Sequence, residues 1–225
     1  MTIESNLNQI RTSLPVDVQL VAVSKTKSNE EIMEAYQAGQ RIFGENKVQE
    51  LVRKRESLPK DIQWHFIGHL QSNKVRMIAP FISMIHSVDS LKILKTINDE
   101  ALKAGRVIPC LLQFHVASEE SKFGFAPEAA DQLFTSVELS DLQNVAISGI
   151  MGMATYTDDA EQVDSEFDLL RQIYQKLRIL FFNNKNTFCE ISMGMSHDYL
   201  HAIANGSTMV RIGSTIFGER CHIEK

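Results

Sequence analysis

The chain has 225 residues, 44% apolar and 23% charged, with Lys+Arg 23 against Asp+Glu 28 and a formal net charge of -5 at pH 7. That apolar fraction excludes a disordered chain. The acidic balance argues against non-specific nucleic-acid binding, which draws on a basic surface.

The elements follow in chain order. Ile3–Ser13 reads as a helix, and residues 19–24 (QLVAVS) as the first strand. Ser28-Asn-Glu-Glu31 is a capping box opening a helix over 30–38, stopped by Gly39. A strand at 41–44, a helix at 46–57 and a strand at 62–67 (IQWHFI) come next, then the strand Met84–Val88. Ser90 can cap a helix over 91–104, which ends at Gly105. A strand at 110–116 leads to Pro127, which suits the first turn of a helix over 128–137. Val145–Met151 is the sixth strand, and the longest helix follows at 160–181 behind Asp158-Asp-Ala-Glu161. A strand at 187–193, a helix at 197–204 capped by Ser196, and the strand Met209–Ile212 complete the pattern.

These strands start about 27 residues apart on average, a little under the spacing of a (β/α)8 barrel. Most are apolar on both faces, as buried parallel strands are. Strands alternating with helices make an α/β fold, either a closed barrel or an open doubly wound sheet. An open sheet more often carries a glycine-rich turn after its first strand, whereas this strand ends Ser24-Lys25-Thr26-Lys27. The expectation is one TIM barrel domain over residues 1–225, with the N-terminal helix completing the outer ring.

The three cysteines, Cys110, Cys189 and Cys221, are neither a disulfide framework nor a zinc motif. Cys110 and Cys189 lie in apolar runs and are expected to be buried reduced thiols. No signal-peptide pattern opens the chain, and no run approaches the roughly 18 apolar residues of a membrane span. A cytoplasmic protein with no membrane partner is expected.

A barrel builds its site at the C-terminal ends of its strands. That rule selects Lys25, Thr26 and Lys27, then Glu45 and Asn46, Gly68 and His69, Ser87 and Asp89, and residues 118–122 including Lys122. It continues with Met153 and Thr155, with Met193, Gly194 and Ser196, and with Arg211, Gly213, Ser214 and Thr215. Lys25 is either a partly desolvated amine able to form a Schiff base or a lysine snorkelling into water. Ser196 and Gly213-Ser214-Thr215 are either a phosphate cradle or ordinary turns. Arg211, inside the last strand, is either a fixed cation facing a ligand or half of an ion pair with Glu45 or Asp89. His197 and His201 have the i, i+4 spacing of a zinc pair but no evident third ligand, and read as a chance pair on a solvated helix. His65 and His69 straddle a strand end, and His86 and His115 read as core or rim. Met151, Met153, Met193 and Met195 are either barrel filling or a soft apolar wall around a flat ligand. Lys103, Arg106, Lys176 and Arg178 read as solvated helix faces.

The segments VAVSKTK, FGENKVQE, WHFIGHLQSNK, SKFGF, SMGMSHDYLHAIANGSTMVRIG and IFGER resemble the pyridoxal phosphate homeostasis protein family, in order from Val21 to Arg220. The resemblance implies the barrel half of an alanine racemase, a bound pyridoxal 5′-phosphate (PLP), and a role in vitamin B6 and amino-acid homeostasis with little turnover. It makes Lys25 the Schiff-base lysine and places Asn46 near the cofactor. Ser196 and the backbone of Gly213 and Ser214 hold the phosphate, and Arg211 reaches the pyridine nitrogen. Lys122 sits close by without an assigned role. Ser28 stands where proline is frequent, and residues 152–155 are variable; neither departure touches the lysine or the phosphate site. An arginine at the pyridine nitrogen weakens carbanion stabilisation, and no second domain is expected to supply an opposing acid or base. The resemblance and the acidic, unpatterned helix faces point to a monomer, one expected to pass PLP to acceptors such as PLP-dependent apo-enzymes. A small PLP-dependent racemase or lyase is the alternative. A zinc hydrolase on His197 and His201 and a non-catalytic partner-binding barrel stand further off.

Overall fold

A computed structural model describes residues 2–119, 123–134, 141–183 and 185–218. Helix α1 (Ile3–Ser13) precedes strand β1 (Gln19–Val23), and strands and helices alternate from there: α2 (Asn29–Gln37), β2 (Ile42–Glu45), α3 (Val48–Ser57), β3 (Gln63–Phe66), α4 (Val75–Ile78), β4 (Met84–Val88), α5 (Leu91–Lys103) and β5 (Ile108–Gln113). The chain goes on through β6 (Val145–Met151), α6 (Ala160–Leu180), β7 (Glu190–Ser192), α7 (Tyr199–Ala204), β8 (Met209–Ile212) and α8 (Ser214–Phe217). The strands form a closed barrel in sequence order. Each pairs in parallel with its neighbour, and β8 returns to β1 with Val21 beside Arg211. This is the expected (β/α)8 barrel.

Local chemistry sets the helix starts. Ser28 closes both halves of its capping box with Glu31, and Ser90 and Asp159 cap α5 and α6. Between strands and helices lies the apolar core, including Phe43, Leu51, Trp64, Leu94, Phe167 and Leu170, all fully buried. Phe43 and Trp64 meet with ring centroids 5.9 Å apart. Gly149 stands in β6 at φ 155, where a Cβ would lie 1.8 Å from Glu190 O. Only glycine lets β6 and β7 approach that closely.

Several expectations need correction. The helix expected over 128–137 is a 3-10 turn, Pro127–Asp131, because its bonds close over three residues, as in Ala129 N to Ala126 O at 2.9 Å; residues 135–140 lie outside the described residues. Between β3 and β4, where no helix was expected, the chain makes a 3-10 turn (Ser72–Lys74) and the short α4. A one-turn helix, α8, does follow β8, so α1 shares the ring position rather than filling it alone. Asn6 Nδ2 donates to Ile216 O at 2.9 Å across that contact. Cys189 precedes β7 and is exposed, while Cys110 is buried in β5 with its thiol pushed up by burial; Cys221 lies outside the described residues. Arg106 is no solvated side chain, since it donates to Ala79 O and Ile82 O.

Candidate functional site

The C-terminal ends of the strands surround a cavity of about 500 Å³. Lys25 and Lys27 reach it from the β1 turn, Asn46 from the end of β2, and Gly68 and His69 from the end of β3. Gln113, Met153, Met195, Ser196, Arg211, Gly213 and Ser214 contribute from later strands. All six residues singled out as cofactor contacts therefore line one cavity. Phe123 and Tyr156 stand at its rim: Phe123 stacks on His69 at 3.9 Å, and Tyr156 meets His197 edge-on. Lys122 lies outside the described residues.

Charge is distributed unevenly here. The described lining carries three basic side chains, Lys25, Lys27 and Arg211, and no carboxylate. On a chain of net charge -5, that local excess suits an anionic ligand. Lys27 Nζ donates to Phe217 O at 2.9 Å and lies 3.2 Å from Glu31, which keeps it beside α8.

Ser196 does not cap α7. The cap position belongs to Asp198, whose Oδ1 accepts from Met195 N at 2.5 Å and folds residues 195–198 into a turn. That turn releases the Ser196 hydroxyl, which accepts from Gly213 N at 3.3 Å. The loops after β7 and β8 thus meet at small polar groups facing the cavity. Gly68 makes the matching close approach on the opposite side: a Cβ there would lie 2.3 Å from Asn46 O.

Arg211 is 3% exposed. One terminal nitrogen donates to Ser192 O at 2.8 Å and Ser192 Oγ at 2.7 Å, and the other to Gly152 O at 2.9 Å. Its ion pair with Glu45 or Asp89 is not formed: Glu45 pairs with Lys54 and Asp89 with His69. Burial pulls the guanidinium down to about 10, with the Asp198 charge opposing, so it stays a cation at neutral pH.

Below the cavity the barrel interior holds a polar chain that the sequence reading missed. His65 Nδ1 lies 2.9 Å from His86 Nε2, and His86 Nδ1 lies 3.0 Å from Ser192 Oγ. These side chains span from β3 and β4 to β7, a contact available only through the lumen. Ser192 Oγ accepts from Arg211. When its own proton goes to His86 Nδ1, His86 carries a proton on Nε2 and donates to His65; the other tautomer reverses both bonds. Burial holds His65 at about 3 and His86 well below its ordinary value, with His65 and Arg211 adding to the effect on His86, so both rings are neutral. Each of these residues interrupts an apolar run, as in WHF, MIHSV and MVRI. Their shared strand parity with other inward residues was the available signal.

His197 precedes α7 and lines the cavity, while His201 hydrogen-bonds Asp164 at 3.1 Å. Among the described residues no group of three metal-ligating side chains occurs.

The sequence matches the alanine racemase N-terminal domain over residues 1–221. It is 43% identical over 212 residues to the pyridoxal phosphate homeostasis protein of Vibrio alginolyticus, covering 92% of this chain and 88% of that one. The chain belongs to the pyridoxal phosphate homeostasis protein family. The human member is 39% identical over 220 residues, with 93% of this chain and 79% of that one covered. PipY of Synechococcus elongatus, solved with PLP bound, superposes with a TM-score of 0.86 at 37% identity, covering 96% of this chain and all of that one. Alanine racemase of Clostridium difficile shares the barrel at a TM-score of 0.75 and 16% identity, with 99% of this chain matching 57% of that one; that likeness concerns the fold alone. No helix among the described residues is long and apolar enough to cross a membrane.

Proposed function

We propose that this member of the family holds PLP on Lys25 and serves intracellular vitamin B6 and amino-acid homeostasis as a reservoir rather than as an enzyme. One observation carries the reading: the described cavity lining places a primary amine, two further cations and the Ser196–Gly213 contact together, with no carboxylate among them. PLP supplies an aldehyde that condenses with an amine and a ring that can take up charge from an attached amino acid. Lys25 Nζ provides the amine. Ser196 and the backbone N–H groups of Gly213 and Ser214 would hold the phosphate, with Lys27 adding charge, and Asn46 would flank the ring. Arg211 would face the ring nitrogen. A cation there keeps that nitrogen unprotonated, and no cavity carboxylate among the described residues opposes it, so amino-acid chemistry would be slow. The closed sheet leaves no strand edge for pairing, which supports a monomer able to pass its PLP to acceptor apo-enzymes.

The test is an absorption spectrum of the purified cytoplasmic protein with PLP, before and after borohydride, followed by peptide mapping. A visible band and a reduced adduct on Lys25, both lost in Lys25→Ala, are expected. Labelling elsewhere would overturn the assignment. Racemisation or decarboxylation at about 1 per second or faster would overturn the reservoir reading in favour of a small PLP enzyme.

A further inference from the structure

The turn that carries Lys25 is held from outside the cavity. Lys27 N donates to Ser24 O at 3.0 Å, so residues 24–27 form a β-turn with Lys25 second and Thr26 third. Thr26 has φ 67 and is the only non-glycine residue with positive φ among the described residues. Positive φ at the third position is the type II pattern, which favours glycine there and disfavours a β-branched side chain. A type I turn would relieve Thr26 by flipping the peptide between Lys25 and Thr26.

Two residues of α3 oppose that flip. Glu50 Oε1 accepts from Thr26 N at 2.7 Å, a bond that exists only in the observed orientation of the peptide. Lys54 Nζ donates to Glu50 Oε1, to Ser24 O and to Glu45 Oε1, each at 2.7 Å, using all three of its protons. Glu45 Oε1 also accepts from Ser24 Oγ at 2.6 Å. The Glu45 and Lys54 side chains are only 0% and 6% exposed. A buried pair of this kind seldom adds net stability over an apolar substitute. Its placement, gripping Ser24 directly and Thr26 through Glu50 on either side of Lys25, gives it a different use.

We propose that Glu50 and Lys54 are positioning residues: they hold the Ser24–Lys27 turn in a conformation its own sequence resists, and so preorganise Lys25 for its ligand. The inference rests on PLP binding at Lys25. Preorganisation raises affinity by removing the cost of ordering the turn on binding.

Lys54→Met would strand two carboxylates and endanger folding, so the test uses Glu50, which is more exposed. Wild type, Glu50→Ala, Glu50→Gln and Glu50→Ala/Thr26→Gly are titrated with PLP, and the reduced adduct is mapped in each. Amide exchange at Thr26 is followed without ligand. Glu50→Ala should weaken PLP binding about tenfold and speed Thr26 exchange by a similar factor. Glu50→Gln, which keeps the acceptor, should stay within about threefold of wild type in affinity. The double variant should recover most of the affinity, because glycine accepts the type II turn unaided. Wild-type affinity in Glu50→Ala, or a double variant as weak as Glu50→Ala, would overturn the proposal. A wild type that forms no adduct on Lys25 would instead overturn the reading on which it rests.

Discussion

The two lumen histidines make stability strongly dependent on pH, and the size of the effect can be worked out. His65 and His86 are fully buried and neutral, with folded values of about 3 and well below 6.5, against an ordinary value of 6.5 for each. Below 6.5 the unfolded chain binds protons that the folded barrel does not. Stability from these groups is therefore fully present above 6.5 and lost as pH falls toward their folded values. Between about pH 6.5 and pH 4.5, His65 removes RT ln(101/2), about 2.3 kcal/mol, and His86 removes stability in the same direction. A domain of ordinary stability, about 5–15 kcal/mol, would lose much of its margin over that range. Glu45, pushed up by burial, changes stability in the opposite sense, so a comparison with a variant isolates the histidines. Urea unfolding at a series of pH values can follow the fluorescence of Trp64, the single tryptophan and a buried neighbour of His65. His65→Leu should start less stable at neutral pH but lose about 2.3 kcal/mol less than wild type over the same range. Parallel stability curves for the two proteins would refute a neutral, proton-excluding pair.

Other outcomes follow from the same geometry. Arg211→Lys cannot span Ser192 O, Ser192 Oγ and Gly152 O from a single nitrogen. It should cost about 2–3 kcal/mol in denaturant unfolding and weaken PLP at least about tenfold by titration. Gly68→Ala would press a methyl group to 2.3 Å from Asn46 O. The backbone must part there, which should cost about 1–3 kcal/mol in thermal unfolding and lower PLP affinity. Ser28→Ala removes the capping box of α2, so Tm should fall by about 2–4 °C for a loss of about 1 kcal/mol, with PLP affinity unchanged and Ser28→Thr largely restoring Tm.

The barrel was legible in the sequence because its signals are local. Ser28-Asn-Glu-Glu31, Ser90 and Asp158-Asp-Ala-Glu161 mark helix starts, and apolar runs mark strands. The rule that strand ends build the site drew a wider set, and the family resemblance narrowed it to Lys25, Asn46, Ser196, Arg211, Gly213 and Ser214, which line one cavity. What escaped depends on contacts between distant strands. His65, His86 and Ser192 meet across the lumen, and no spacing along the chain announces that β4 faces β7. Ser196 looked like a cap because serine before a helix usually is one, yet the helix starts two residues later with Asp198 at the cap position, whose carboxylate closes the preceding turn on Met195 N. The 3-10 turn at Pro127–Asp131 carries the proline and alanines of a helix start, so composition alone could not distinguish the two.

The closure of β8 onto β1 also determines when the protein can first do its work. Lys25 follows the first barrel strand, while Arg211, Gly213 and Ser214 belong to the last strand and the turn after it. A chain emerging from the ribosome carries the amine long before it has the proposed phosphate cradle or a buried guanidinium. Pairing that joins the start of a chain to its end forms late and slowly. The ligand therefore meets a complete site only once the ring has shut, and its binding energy then favours the closed barrel over every partly assembled form.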